Sequence, residues 1–406
     1  MKEPESEIQE EASDTWPSLT FEQRPWEPSV GDYGSRKEMR AHRGPYEAAV
    51  PAAIAALDPD LGIELLAAVE DATTEITRFD MECAADLAPF VALLLRSEST
   101  ASSQIENLTA SAKAIAAAEL GDHSRKNASM IVANASAMNA AIDLADRLDG
   151  ASIIEMHRAL LGESHPEWVG HWRDEQVWIG GSRIGPHTAD YVAPHHDRVP
   201  SAISDLVAFM DRDDMPVLVQ AAIAHAQFET IHPFPDGNGR VGRALVHSLL
   251  RSKGTTRSVT VPISAGLLTN RDAYFEALET YRAGNPQPIV ARFADAAHAA
   301  IANGRHLTDD LRTLRAQWNQ RIVARTGAAA WRLADTLTQQ PVINAAFVQT
   351  QLKVTDVTAA SAIKTLVDAD VLSQAGGGKR YRVWAAVEVL DALDAFAMRA
   401  GRRSRS

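Results

Sequence analysis

Twelve consecutive residues, HPFPDGNGRVGR at positions 232–243, bring together side chains suited to chemistry on a phosphate ester. His232 takes up and releases a proton near neutral pH, and Asp236 offers the hard oxygen ligand that a divalent cation prefers. Arg240 and Arg243 are three residues apart, so a helix beginning here would present both guanidinium groups on one face. The stretch therefore holds a possible base, a metal-type carboxylate and two cations.

Two predicted helices position this stretch. The alanine-rich segment Val217 to Thr230 predicts a helix that ends just before His232, and Val241 to Arg251 predicts the next helix. The turn Gly237-Asn238-Gly239 then lies at a helix start, where glycines let backbone N–H groups approach an anion and the helix dipole adds positive potential. This geometry suits a diphosphate or triphosphate, although Asp-Gly-Asn-Gly is also ordinary turn chemistry.

The same twelve residues carry a family resemblance. They match the pattern HPFx[D/E]GNGRxxR of the Fic-domain family at every fixed position, and nine specified residues at fixed spacing make a chance match very improbable. The resemblance implies a mainly α fold, with an all-helical catalytic domain and a small β-hairpin flap. It also implies AMPylation, the transfer of AMP from ATP to a hydroxyl side chain of a target protein with release of pyrophosphate.

The resemblance also implies a role for each residue of the motif. It implies that His232 acts as the general base, that ATP is the co-substrate and that Asp236 holds Mg²⁺. A protein hydroxyl is a weak nucleophile near neutral pH, which is why the reaction needs a base beside it. The remaining positions are expected to bind the phosphates of ATP: Gly237, Asn238, Gly239, Arg240 and Arg243.

A second stretch, Ser97 to Asn107 (SESTASSQIEN), admits two interpretations. Its Ser103-x-x-Glu106 spacing forms a capping box, which predicts that a helix begins here. The Fic family also has an inhibitory helix with the pattern [S/T]xxxE[G/N]. Three residues match that pattern: Ser102, Glu106 and Asn107.

The resemblance favours the inhibitory interpretation. It implies an N-terminal inhibitory helix at about residues 97–110, the class II arrangement of the family. A carboxylate and a guanidinium form a charge-assisted pair, so Glu106 is expected to bind Arg243. Glu106 would then occupy the cation that the γ-phosphate of ATP needs, and the enzyme would be autoinhibited.

The N-terminal region divides near residue 45. Residues 1–45 are rich in Glu, Pro, Ser and Gly, which predicts a flexible acidic arm, although its aromatic residues favour partial docking. Residues 46–125 are predicted to be helical, because apolar residues recur at three- and four-residue spacing. The predicted helices of this region are Ala48–Ala56, Gly62–Phe79 and Ala84–Ser97.

The Fic catalytic core is predicted to span residues 126–325. Two β-prone runs near residues 177–180 and 189–194 predict a hairpin, which the resemblance assigns as the flap that aligns the target by strand addition. Tyr274 and Tyr281 are adenine contacts by family analogy, and packing alone would also explain them. The other predicted helices are Asn127–Leu148, Ser152–Leu161, Asn270–Gly284, Pro286–Gly304 and Leu307–Arg325.

A loop with two histidines and two aspartates, and a separate histidine in a helix, are interpreted as structural. Asp190, His195, His196 and Asp197 lack the spacing of a zinc site, so we expect polar loop residues there. His225, inside the predicted helix before the motif, is expected to be a partly buried histidine with a hydrogen-bond partner rather than a metal ligand.

Residues 326–398 resemble a winged helix, a module that many Fic proteins with N-terminal inhibitory helices carry. Three short predicted helices precede two β-prone runs around Gly376-Gly377-Gly378, and residues 399–406 form a basic tail. The expected recognition helix, Thr358–Ala369, has Lys364 as its only cation, whereas a DNA reader needs a stronger basic surface. Two roles therefore remain for this module: DNA binding through the wing and tail, or protein contact that includes support of a homodimer.

Bulk composition narrows the class of protein. The 406 residues carry a net charge of −13, which disfavours nonspecific attraction to nucleic acid or anionic membranes. The single cysteine, Cys83, excludes an intrachain disulfide, and neither a signal peptide nor a membrane-spanning run is evident. We therefore expect a soluble cytoplasmic protein of two or three domains.

Two other functions are compatible with these residues. Hydrolytic removal of AMP from a modified protein would use Glu106, His232 and the metal in the same site. A nucleotide-sensing DNA-binding regulator would use the C-terminal module, although the complete catalytic motif argues against this as the whole function. The leading expectation is an autoinhibited adenylyltransferase that modifies a Ser, Thr or Tyr hydroxyl of a target protein, and weakly its own.

Overall fold

Helices dominate the structure, a computed structural model that describes residues 16–27, 35–86, 91–376 and 382–401, and the predicted mainly α fold is confirmed. Among the described helices, none is both long and apolar enough to cross a membrane. The helices are α1 Arg36–Ala41, α2 Gly62–Asp86, α3 Val91–Ile105, α4 Ala112–Ala118, α5 Lys126–Asp143, α6 Gly150–Leu161, α7 Val199–Asp211, α8 Val217–Ile231, α9 Asn238–Ser252, α10 Ile263–Leu268, α11 Arg271–Arg282, α12 Gln287–Arg321, α13 Ala329–Leu337, α14 Ala345–Leu352, α15 Asp356–Asp368 and α16 Val387–Gly401. The strands are β1 Thr20–Arg24, β2 Tyr46–Val50, β3 Trp178–Ile179, β4 Tyr191–Val192, β5 Val342–Asn344, β6 Ser373–Gly376 and β7 Val383–Ala385.

Helix α8 lies at the centre of the fold. Its residues from Leu218 to Ile231 are all buried, as expected of a core helix that is covered on every face. Its alanines allow close approach, and α7, α9 and α12 pack around it. The next residue along the chain is His232, so a fully enclosed helix presents the candidate base.

Helix α12 corrects one prediction. The sequence predicts two helices, Pro286–Gly304 and Leu307–Arg325, but one continuous helix of 35 residues is present. Gly304 does not end this helix, because the glycine makes room for a ring of α2: a Cβ here would lie 2.9 Å from Phe79 Cζ. Close helix packing explains a glycine that the sequence pattern treats as a helix stop.

Strands β1 and β2 correct two further predictions. The sequence predicts a helix over Ala48–Ala56 and a flexible arm up to residue 45, whereas Thr20–Arg24 and Tyr46–Val50 pair as an antiparallel ribbon. Alanine favours helices in isolation, but here tertiary burial of Ala48 and its neighbours outweighs that preference. Residues 1–15 and 28–34, where the arm is also predicted to be flexible, lie outside the described residues.

The described part of the arm packs against the core and the hairpin of β3 and β4. Hydrogen bonds from the Arg198 guanidinium to Glu22, at 2.8 and 2.6 Å, lower the pKa of Glu22 to about 2. Trp26 contacts Trp178 edge-on, with ring centroids 5.3 Å apart. The partial docking expected from the aromatic residues is therefore present for Trp26.

The C-terminal region combines α13, α14 and α15 with an antiparallel sheet of three strands in the order β5-β7-β6. The winged-helix resemblance stays a prediction, and residues 377–381 of the expected wing lie outside the described residues. Two cations considered for DNA contact have protein partners instead. Lys364 pairs with Asp368, and Arg399 Nε donates to Asn303 Oδ1 at 2.6 Å.

Helix α16 revises the predicted end of this region. The sequence predicts a basic tail from residue 399, but α16 continues to Gly401, and residues 402–406 lie outside the described residues. Its apolar side chains, including Leu393 and Phe396, are buried where α16 meets α12, α10 and α3. The C-terminal helix therefore borders the helix that carries the predicted inhibitory segment.

Gly266 provides a test of this packing. It lies in α10, where a Cβ would come 2.0 Å from the carbonyl oxygen of Ala296 in α12. We expect Gly266→Ala to lower the free energy of unfolding by about 2 kcal/mol or more, because the two helix backbones must separate. Gly401→Ala in α16, where no neighbouring atom lies within 4 Å, is the matched control in chemical denaturation. An equal effect of both changes would contradict the close approach of α10 and α12.

Candidate active site

His232 occupies the C-terminal end of α8 in a left-handed backbone conformation. Its φ of 50° and ψ of 60° turn the chain sharply out of the helix. Arg173 fixes this turn, since its Nε donates to the His232 carbonyl oxygen at 2.8 Å and its backbone N–H donates to the Pro233 carbonyl oxygen at 3.0 Å. The backbone therefore sets the position of the candidate base.

Contacts of the His232 ring define its protonation. Nδ1 lies 3.3 Å from the carbonyl oxygen of Glu229, which can only accept, so Nδ1 carries the proton and Nε2 keeps a free lone pair. Burial lowers the pKa of His232 to about 4, so the ring is neutral at physiological pH. A neutral ring with a free Nε2 can accept a proton from a hydroxyl group.

Buried side chains of the loop after His232 hold the loop in its conformation. Phe234 is fully buried and stacks on His157, with ring centroids 3.8 Å apart. The Asn238 side chain accepts from the Phe234 N–H at 2.9 Å and donates to the Phe234 carbonyl oxygen at 2.8 Å. Asn238 therefore shapes the loop with its side chain and offers its backbone N–H to an anion.

The N-terminus of α9 begins at Asn238, three residues before the predicted start, so the glycine turn is its first turn. Gly237 has a φ of 83°, and a Cβ there would lie 2.8 Å from Leu160 Cδ2. Without a side chain, Gly237 leaves the first N–H groups of α9 for an outside partner. The Glu106 carboxylate lies over this turn, since a Cβ on Gly239 would be 2.1 Å from Glu106 Oε1. A carboxylate thus occupies the position expected for a phosphate.

Arg243 is buried and bound to the end of α3. Its Nε donates to Ser102 Oγ at 2.9 Å, and its Nη2 donates to the Ser102 carbonyl oxygen and to Glu106 Oε1, both at 2.8 Å. Burial opposes the guanidinium charge, but the Glu106 carboxylate and the other acidic neighbours outweigh it and raise the pKa of Arg243. Arg243 is therefore in direct contact with two of the predicted inhibitory residues.

Arg240 precedes Arg243 by three residues and is 3% exposed. Its Nη2 donates to Asp236 Oδ2 at 3.2 Å, while Nε and Nη1 are buried and find no hydrogen-bond partner within the described chain. Burial also lowers the pKa of Arg240, so the charge is held there at an energetic cost. Buried N–H groups that lack a protein partner, close to a helix N-terminus, fit a phosphate ligand.

Asp236 is the candidate metal ligand. Its side chain is 53% exposed, and one oxygen faces Arg240. No group of three or more His, Cys, Asp or Glu side chains that could hold a metal ion occurs among the described residues, the His195–Asp197 loop included. A single carboxylate suits Mg²⁺ when phosphates and water supply the other ligands, so the site fits a nucleotide-bound cation.

Helix α3 carries the predicted inhibitory segment, and its bounds differ from the expectation. The helix runs from Val91 to Ile105 rather than from about residue 97 to residue 110. The capping-box interpretation is wrong, because Ser103 lies in the last turn of the helix and not at its start. Glu106 is the first residue after the helix.

A Schellman motif closes α3 and aims Glu106. The Leu108 N–H donates to the Ser103 carbonyl oxygen at 3.0 Å, and the Asn107 N–H donates to the Gln104 carbonyl oxygen at 2.9 Å. Asn107 has a φ of 61°, the left-handed conformation that this motif requires. Asparagine tolerates that conformation better than most residues, which gives Asn107 a physical reason to follow Glu106.

The two tyrosines considered as adenine contacts are buried and bonded to protein groups. Tyr274 is 1% exposed, and its hydroxyl lies 2.8 Å from His225 Nε2. Tyr281 is 3% exposed, and its hydroxyl donates to Gln227 Oε1 at 2.8 Å. The adenine role stays a prediction, while these contacts support packing roles. His225 is fully buried rather than partly buried, and it has the expected hydrogen-bond partner.

The hairpin of β3 and β4 is attached to the end of α8. Trp178 pairs with Val192, and Ile179 pairs with Tyr191. The Tyr191 hydroxyl donates to the Thr230 carbonyl oxygen at 2.6 Å, two residues before the candidate base. Ile179 is 41% exposed, so the hairpin presents an apolar side chain to solvent near the site.

Sequence reasoning assigns no role to three residues of the site: Glu229, His157 and Arg173. Glu229 is 7% exposed, its Oε1 lacks a hydrogen-bond partner within the described chain, and burial raises its pKa to about 7. His157 Nε2 lies 3.1 Å from the Asp236 carbonyl oxygen and supports the loop. The contact of Arg173 with His232 is visible only in three dimensions.

Comparison with known proteins identifies the domain that holds this site. Residues 147–250 match the family model of the Fic/DOC family. This range includes α6, the β3–β4 hairpin, α7, α8 and most of α9, which are the elements that position the candidate base and the two arginines. The chain therefore carries a Fic domain.

Known relatives share this region. The chain is 30% identical over 159 residues to Protein adenylyltransferase fic-1 of Caenorhabditis elegans, covering 38% of this chain and 28% of that protein. It is 30% identical over 138 residues to Protein adenylyltransferase Fic of Nematostella vectensis, covering 34% of this chain and 30% of that protein. The chain thus spans less than a third of the length of these relatives. A Fic family protein from Desulfovibrio desulfuricans G20 has a solved structure that aligns over 81% of this chain and 98% of that chain, with a TM-score of 0.49 and 18% identity.

NMR titration tests the protonation of His232. We expect the ring to stay neutral from about pH 8 to about pH 5, because burial lowers its pKa to about 4. An unfolded histidine binds a proton near pH ~6.5, so the contribution of His232 to stability is lost as the pH falls from there through about 4. The ring signals are assigned with His232→Asn. A midpoint between about pH 6 and 7, the range of an exposed histidine, would contradict this prediction.

Tyr274→Phe tests the packing role of the buried tyrosine. The change leaves His225 Nε2 buried without its partner, so we expect the free energy of unfolding to fall by about 1 to 2 kcal/mol, with ATP affinity unchanged. Tyr281→Phe, which leaves Gln227 Oε1 without its donor, should lower stability in the same way. A loss of ATP affinity without a loss of stability would instead support the adenine contact.

Proposed function

We propose that this protein is an adenylyltransferase that transfers AMP from ATP to a hydroxyl side chain of a target protein. The proposal rests on the arrangement around one loop, where a neutral His232 Nε2, an α9 N-terminus without a side-chain cap and two buried arginines lie together. The similarity of residues in this region to named protein adenylyltransferases supports the same activity.

The reaction follows from the groups of the site. The target hydroxyl oxygen forms a bond to the α-phosphorus of ATP while His232 Nε2 takes its proton. The bond between the α-phosphorus and the bridging oxygen breaks, and pyrophosphate leaves. A neutral histidine suits this task, because a protonated ring could not accept the proton.

The negative charge of the leaving group is balanced by fixed donors. Arg240, Arg243 and the first N–H groups of α9 would bind the phosphates, and these groups are already oriented before the substrate arrives. Asp236 would hold Mg²⁺ against the phosphates, where the cation supplies further charge neutralisation. The unpartnered N–H groups of Arg240 support a phosphate contact at this position.

The target protein would enter beside the hairpin of β3 and β4. An extended segment can add to the edge of this short hairpin through main-chain hydrogen bonds, which depend little on side-chain sequence. The attachment of Tyr191 to the end of α8 supports this role, because it keeps the hairpin close to His232. A Ser, Thr or Tyr hydroxyl of the bound segment would then lie near Nε2.

Glu106 would hold the enzyme in an inhibited state. Its carboxylate binds Arg243 and lies over the N-terminus of α9, so it takes up the cation and the space that the γ-phosphate needs. The Glu106 side chain is 38% exposed, which weakens the pair relative to a fully buried one and permits displacement. We assign this arrangement to the class with an N-terminal inhibitory helix.

The C-terminal module is better suited to protein contact, including support of a homodimer, than to DNA. Helix α15, which lies where the recognition helix Thr358–Ala369 is expected, begins at the acidic residue Asp356, and its Lys364 is paired with Asp368. Arg399 is bonded within the protein rather than free for phosphate. A DNA reader normally keeps a basic surface available on that helix.

Incubation with α-labelled ATP and Mg²⁺ tests the proposed activity and its inhibition. We expect weak self-labelling of the wild type and about tenfold more in Glu106→Gly, because removing about 1.4 kcal/mol of competition between Glu106 and the γ-phosphate for Arg243 gives a factor of ten. We expect no labelling in His232→Ala or in the double variant. Label retained on protein is measured over time.

The matched control is Thr109→Gly, which introduces the same flexible residue at an exposed position of the same segment. It should label like the wild type. If Glu106→Gly incorporates no more label than this control, the proposed autoinhibition is wrong. Equal labelling of Glu106→Gly and its His232→Ala double variant would remove His232 as the base.

A further inference from the structure

Arg271 binds the turn that presents Glu106. Its Nη1 donates to Asn107 Oδ1 at 2.6 Å and lies 3.4 Å from the Ile105 carbonyl oxygen. Arg271 is the first residue of α11, whereas Arg243 belongs to α9. Two different helices therefore hold consecutive residues of the same turn.

The two arginines hold the turn in different environments. Arg243 is 2% exposed, so its charge is buried and water does not compete for its contacts. The bond between Arg271 and Asn107 lies at the surface, where water competes for both partners. A surface contact opens more readily than a buried one. Of the two contacts, the one between Arg271 and Asn107 is therefore expected to open first and allow the turn after α3 to move.

The body of α3 is fixed by buried polar contacts. Glu98 is fully buried, lies 2.8 Å from His247 Nε2 and accepts from the Ser264 N–H at 2.9 Å. Asn134 Nδ2 donates to the Ser99 carbonyl oxygen at 2.9 Å. Undocking α3 would break these contacts and leave buried polar groups without partners, which is costly. Moving only the turn after α3 leaves them intact.

We infer that Arg271 is a positioning residue that latches the inhibitory turn. While Arg271 holds Asn107 in its left-handed conformation, the Schellman motif keeps Glu106 aimed at Arg243. When the Arg271 contact opens, the turn moves and Glu106 leaves the α9 N-terminus, whereas α3 stays docked. The effect on activity rests on the proposed function, but the contact and its effect on the turn do not.

Amide hydrogen exchange on the full chain tests the latch independently of activity. We expect Arg271→Ala to speed exchange of the Asn107 and Leu108 N–H groups by about fivefold or more, because both bonds of the motif then open locally. The N–H groups at residues 98–103 should exchange as in the wild type. Glu276→Ala, an exposed change on the same helix, is the control. Unchanged exchange in the turn, or equal acceleration along all of α3, would overturn the latch.

Initial rates of AMP incorporation test the consequence for the enzyme. Arg271→Ala should raise the rate about threefold to tenfold when Glu106 is present and leave it unchanged in the Glu106→Gly background, since no inhibitory carboxylate is left to release. Arg271→Lys keeps the charge without the guanidinium geometry and should fall between the wild type and Arg271→Ala. An equal effect in both backgrounds would overturn the latch and identify Arg271 as a substrate contact.

The Glu106→Gly variant separates failure of the latch from failure of the proposed function. If Glu106→Gly raises incorporation and Arg271→Ala does not, the latch is wrong and the autoinhibition stands. If neither change raises incorporation, the autoinhibition is wrong, and the exchange experiment decides whether Arg271 holds the turn.

Discussion

The site is built around one buried cation, Arg243, which requires an anionic partner. Arg243 is 2% exposed in α9, and a guanidinium so enclosed is stable only when an anion and hydrogen-bond acceptors surround it. Ser102 and Glu106 meet that need in this structure. A phosphate group would meet it equally well, so a γ-phosphate bound at Arg243 would have to replace Glu106. In the proposed function, inhibition and substrate binding are therefore two uses of the same charge.

The surrounding fold encloses the end of α8 and the start of α9, whereas it leaves Glu106 partly exposed. Helix α8 is enclosed by other helices, and Arg173 fixes the backbone where α8 ends at His232. Loop closure by Asn238 sets the start of α9 in the same way. By contrast, Glu106 lies beyond the end of α3, in a turn whose outer contact is at the surface. Under the proposed function, the catalytic groups are thus held in place while the inhibitory group can leave.

The sequence is most informative where a local pattern determines the structure. The motif at residues 232–243 locates the candidate site, because its spacing lies within one loop and one helical turn. The ribbon of β1 and β2 escapes prediction, since tertiary burial outweighs the helical preference of alanine. The contact between Arg271 and Asn107 joins positions 164 residues apart, and no spacing rule connects them. Long-range contacts of this kind require the three-dimensional structure.

Isothermal titration of nucleotides would test the competition for Arg243 most directly. A non-hydrolysable ATP analogue and ADP are titrated into the wild type and into Glu106→Gln, which keeps the side-chain size but removes the charge. We expect Glu106→Gln to strengthen binding of the ATP analogue about tenfold more than binding of ADP, because only the triphosphate supplies the γ-phosphate that replaces the carboxylate. An equal change for both nucleotides, or no change, would contradict the claim that Glu106 and the γ-phosphate compete for one cation.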